Sequence, residues 1–113
     1  MAVVNVFQQY FRAEHTFNGV PRHAALVMLI ADSEAGHIRY EAAATFFPHN
    51  DPEDFAVAYD DYHAVVLFDA PGRRSAKREE KLLSQLRGAL EEALREQEAV
   101  IFWDRPLGEA RRG

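Results

Sequence analysis

Five histidines, His15, His23, His37, His49 and His63, lie among carboxylates such as Asp51, Asp60, Asp61 and Asp69. Imidazole and carboxylate are the groups that ligate metal ions and move protons near neutral pH. No HxxxH or HExxH spacing occurs, so three ligands could meet only if separate strands carried them to one place. On that spacing no metal site and no cofactor is expected. His37 falls on the polar parity of its strand and reads as an exposed side chain. If the strands of His37 and His63 are neighbours, the two imidazoles could share one sheet face. Tyr62 and His63, with Arg73, are the best candidates for the polar lining of a ligand pocket between sheet and helix.

A second chemical signal is the basic stretch at Arg73, Arg74, Lys77 and Arg78, which opens a helix. Free backbone N–H groups and cationic side chains there could hold a small anion such as a phosphate or carboxylate. No glycine-rich phosphate loop accompanies it, and cations on a helix face usually serve only solvation. The acids Asp51, Glu53 and Asp54 fit helix capping, and Asp60-Asp61 fits a turn. Phe7, Tyr10, Phe11 and Phe17 alternate along the first strand around Arg12, a pattern that could stack single-stranded bases. A stacking platform needs a positive groove, and this strand offers one cation beside Glu14, so core packing or a dimer surface explains it better.

Catalytic residues are not expected. The chain has no cysteine, which removes thiolate nucleophiles, thiolate metal sites and disulfides together. Its serines are Ser33, Ser75 and Ser84, and none sits in a GxSxG elbow. The formal charge of −5 opposes nucleic acid and anionic membranes. The basic stretch from Arg73 to Lys81 reverses that sign only locally. No signal-peptide run opens the chain, and the longest apolar run, 24–31, is too short to span a bilayer. A cytoplasmic location is the expectation.

The elements that must position these groups follow from periodicity. At 113 residues, with 48% hydrophobic and 27% charged residues, the chain fits one α+β domain, with a frayed tail at 107–113. Apolar residues on both parities predict a strand at 3–17, and Asn18-Gly19 with Pro21 predicts a reversal. The unbroken apolar run predicts a central strand at 23–31. Gly36 closes a turn into a strand at 37–47 with a clean period of two. A short helix near 52–59 and a strand at 62–69 come next. Leu82, Leu83, Leu86, Ala89, Leu90, Ala93 and Leu94 recur at helical steps and predict a long helix at 75–97. A fifth strand or packed tail at 100–104 completes a two-layer fold, an antiparallel sheet of four to five strands with the helix on one face. A complete fold without a catalytic constellation suggests a non-enzymatic accessory or interaction domain, a homodimer through an exposed sheet strip. The competing reading is a small enzyme, or a domain binding a small ligand or anion near the start of the long helix.

Overall fold

The structure is a computed structural model and describes residues 2–48 and 61–109. Five strands, β1 (Ala2–Phe17), β2 (Val20–Glu34), β3 (His37–Phe47), β4 (Tyr62–Pro71) and β5 (Val100–Glu109), form one antiparallel sheet. Their order across it is β4-β3-β2-β1-β5. The helix α1 (Ala76–Leu94) lies between β4 and β5 in the chain and passes into a 3-10 turn, Arg95–Gln97. The predicted α+β architecture is the observed one. The short helix expected near 52–59 falls outside the described residues.

Two tight turns set the register. Asn18 and Gly19 take φ of 51° and 77°, and so do Ala35 and Gly36. Positive φ at both central positions twists a two-residue loop to match the right-handed strands on either side. Phe17 therefore faces Val20, and Glu34 faces His37. β2 extends three residues past its predicted end, so the turn that Gly36 closes takes only Ala35 and Gly36. β5 also runs past 104 to Glu109, through part of the segment expected to fray. Pro106 is tolerated there because β5 is an edge strand, where a missing donor need not break a ladder on both sides.

Leu82, Leu86, Leu90 and Leu94 repeat every four residues along one side of α1 and are all buried. They pack against Phe11, Val27, Leu29, Ile38, Tyr40 and Phe46 of the sheet and Ile101 of β5. Each buried leucine contributes about 1.5–3 kcal/mol relative to exposure, so this row is the main force holding helix to sheet. A smaller apolar cluster, Ala24, Leu26 and Phe47 with Tyr10 and Met28 against it, is separate from the helix-side core. Apolar groups on both faces of β2 account for its unbroken hydrophobic run.

The helix start is tied down by a polar clamp that the sequence reading missed. Glu79, in the first turn of α1, is buried. It accepts hydrogen bonds from the Tyr40 hydroxyl at 2.8 Å and from Arg74 Nε and Nη2 at 2.8 and 3.1 Å. Tyr40 in turn accepts from the Ser75 backbone N–H at 3.3 Å, and the Ser75 hydroxyl caps the helix by accepting from Arg78 N–H. The Arg74 hydrogen bonds hold the Glu79 carboxyl below its ordinary value. Burial, reinforced by Glu79, pushes the Tyr40 phenol up.

Candidate metal centre

His15, Asp61 and His63 converge in the interior, although 46 residues separate the first two. His15 Nδ1 lies 2.5 Å from Asp61 Oδ2, and His63 Nε2 lies 2.6 Å from Asp61 Oδ1. Each carboxylate oxygen therefore faces one imidazole nitrogen. One ligand atom from each of the three residues lies within 4.8 Å of the other two. Asp61 is fully buried, His15 nearly so, and the His63 side chain keeps 20% of its exposure, which opens the cluster to solvent on one side.

Three backbone features place these groups. His15 follows an irregularity in β1, where Arg12 pairs with Ala24 but His15 pairs with Arg22, three residues against two. Such a bulge bends a strand and re-aims the side chains beyond it. Asp61 immediately precedes β4, and its carbonyl accepts the Phe46 N–H at 3.0 Å, which pins it to the end of β3. His63 is the second residue of β4 and pairs with Ala44.

β1 and β4 are not neighbours, since β2 and β3 lie between them. In a flat sheet that puts their axes about 14 Å apart, from a spacing of ~4.8 Å per strand. The His15 and His63 rings are nonetheless 5.7 Å apart. The sheet must curl at this end for them to meet, and the small buried residues Ala25 and Ala44 on the intervening strands leave room. Phe46 forms the wall, with its ring 5.1 Å from His15 and 5.8 Å from His63. Arg22, also buried, reaches toward the Phe46 carbonyl from 3.5 Å and lies over Phe17.

Chemically the cluster offers two imidazole nitrogens and one carboxylate. That donor set suits zinc and non-haem iron, where three protein ligands leave further positions for water or substrate. A buried carboxylate also needs compensating charge, because an isolated ion in the interior costs several kcal/mol. A divalent cation held by the two imidazoles and the carboxylate would supply it.

The other candidates are dispersed. His63 belongs to the cluster, but Tyr62, its neighbour on β4, is half-exposed, as alternation along a strand requires. Burial and then the nearby Glu41 push the Tyr62 phenol up. Of the four basic residues, Arg74 is held by Glu79, Arg78 lies 4.1 Å over the Phe68 ring, and Lys77 is exposed. Arg73 lines an open cleft with the Ala35-Gly36 turn and His37. His37 sits at the opposite end of the β3–β4 pairing from His63 and contacts Asp69 instead. His23 is exposed; His49, Asp51, Glu53, Asp54 and Asp60 lie outside the described residues.

Sequence reasoning missed His15 and Asp61 as members of a common site. Asp61 reads as half of a turn, and His15 as one of several strand histidines. The available signal was the Asp-x-His spacing of residues 61 and 63 at a strand start, joined to a single distant histidine. Among the described residues, no helix is long and apolar enough to cross a membrane. The chain matches no protein-family model, no curated protein and no solved structure.

Proposed function

We propose that this chain is a metal-binding domain that holds one divalent transition-metal ion, zinc in the first instance, on His15, Asp61 and His63. The observation that carries the reading is the meeting of two imidazoles and one buried carboxylate from three separate segments, with their donor atoms within 4.8 Å of one another. Ligands of a single tetrahedral zinc stand roughly 3.3 Å apart, given bonds of ~2.0–2.1 Å to nitrogen and oxygen. The imidazole–carboxylate contacts of 2.5 and 2.6 Å are closer than that, so a loaded site requires the carboxylate to swing outward by under about an ångström. The partly exposed edge of His63 gives the ion an entry path and leaves room for a water or a substrate atom as a further ligand.

The test is cobalt and zinc titration of metal-stripped protein. Visible d–d bands of four-coordinate cobalt, with one equivalent bound and displaced by zinc, are the expected result, along with a zinc-dependent rise in melting temperature. His63→Ala, at the more open ligand, is expected to lower affinity by at least tenfold while keeping the parent's circular dichroism spectrum. A folded parent that takes up neither metal, or a His63→Ala chain that binds as tightly as the parent, would mean that the three groups form only a hydrogen-bonded triad.

A further inference from the structure

The two edges of the sheet are guarded very differently. β5 carries Asp104, Arg105 and Pro106 in sequence, and its pairing with β1 is broken by two register shifts. Charge, proline and irregularity are the devices that stop an edge strand from pairing with another chain. β4 has none of them along its first five residues. Tyr62, His63, Ala64, Val65 and Val66 include no Lys, Arg, Asp, Glu or Pro, and they pair in unbroken register with Thr45 to Glu41. The register shift of β4 comes later, between Val66 and Phe68. Tyr62 and Val66 are 46% and 50% exposed, among the largest exposures of big apolar side chains in the molecule.

We infer that β4 pairs antiparallel with the β4 of a second copy of this chain, with the two-fold axis passing at Ala64. A strand edge is self-complementary under such an axis, so the same residues serve both partners. This register sets Tyr62 of one protomer opposite Val66 of the other, twice, and Ala64 opposite itself. Aromatic and β-branched side chains form favourable cross-strand pairs, and here both members are the exposed ones. No like charges face each other over the five paired residues, and the register stops short of the irregularity at Leu67. The two sheets become one ten-stranded sheet whose outer edges are the two guarded β5 strands. The dimer expected from the sequence through an exposed strip of the sheet is here placed at the edge of β4, which the strand order leaves at one side of the sheet.

The experiment is sedimentation equilibrium across a dilution series in the presence of a chelator, so that the metal site plays no part. The parent is expected to approach twice 12.9 kDa at high concentration and to dissociate on dilution. Ala64→Lys and Ala64→Glu, at an exposed position, each place like charges at the axis and are expected to be folded monomers over the same range. Mixed together, the two chains are expected to recover the dimer mass, because Lys then faces Glu. A parent that stays monomeric throughout overturns the proposal. So do single variants that dimerise as the parent does, and a mixture that fails to recover.

Discussion

Two buried carboxylates in this protein are each held by two partners, and they differ in what those partners are. Glu79 is bound by a phenol and by the guanidinium of Arg74, a cation that stays charged at any ordinary pH. Asp61 is bound by two imidazoles, side chains whose ring nitrogens can also ligate a metal. The first arrangement is electrically closed, and its members join α1 to β3 at the start of the helix. The second joins strands that do not pair with each other and is open to solvent at His63. A closed carboxylate site stabilises the fold. An open one, with coordinating partners, is where the proposed metal would bind.

The largest expected effect comes from the apolar core that lies behind both, through Tyr40 on one side and Phe46 on the other. Leu90 is fully buried in the helix-side core, and Leu90→Ala is expected to cost about 2–5 kcal/mol as a cavity. Denaturant melts should show that loss while zinc still raises the melting temperature of the folded variant. A Leu90→Ala chain as stable as the parent would remove the leucine row as the bond between helix and sheet.

Glu79→Gln is the next largest, at about 1.5–3 kcal/mol near neutral pH, because it takes the charge from hydrogen bonds to a guanidinium. Its pH dependence is more diagnostic than its size. The Glu79 carboxyl sits below its ordinary 4.5 when folded, so its stabilisation is complete above that value and is lost as pH falls toward the folded value. The Tyr40 phenol sits above 10.0, so its share is complete below 10 and is lost as pH rises through the folded value. Melting temperatures are therefore expected to fall on both sides of that window. Glu79→Gln should flatten the acid limb, and parallel acid limbs for parent and variant would show that Glu79 is not the group responsible. The zinc-dependent shift near neutral pH should be the same in both proteins.

How far the sequence exposed these features depends on how local their causes are. The Asn18-Gly19 turn, the Gly36 turn and the leucine row of α1 are fixed by backbone preference and by period within a few residues, and all three stand where they were expected. Glu79 does not stand out in the sequence because an acid in a first turn already has a sufficient local reason, the helix dipole, and nothing nearby says that Tyr40 will cover it. The His15–Asp61–His63 cluster was less legible still. It requires β1 and β4 to approach across two intervening strands, and that curl is a property of the whole sheet and of where its bulge falls. The same argument applies to the edges, since β4 could be recognised as unguarded only once the strand order had made it an edge.

Tyr40→Phe gives the smallest and most discriminating difference. It keeps the ring in the core and removes one oxygen that donates to Glu79 and accepts from the Ser75 N–H. Arg74 still neutralises the carboxylate, so the loss is that of hydrogen bonds alone, about 1–2 kcal/mol. Because the Ser75 N–H lies at the helix cap, hydrogen exchange is expected to speed up in the first turn of α1 and not around Phe46 or His63. Zinc affinity should be unchanged. If Tyr40→Phe instead weakened zinc binding, the two carboxylate sites would be coupled through β3, which carries both Tyr40 and Phe46, and the division into a closed structural site and an open chemical one would fail.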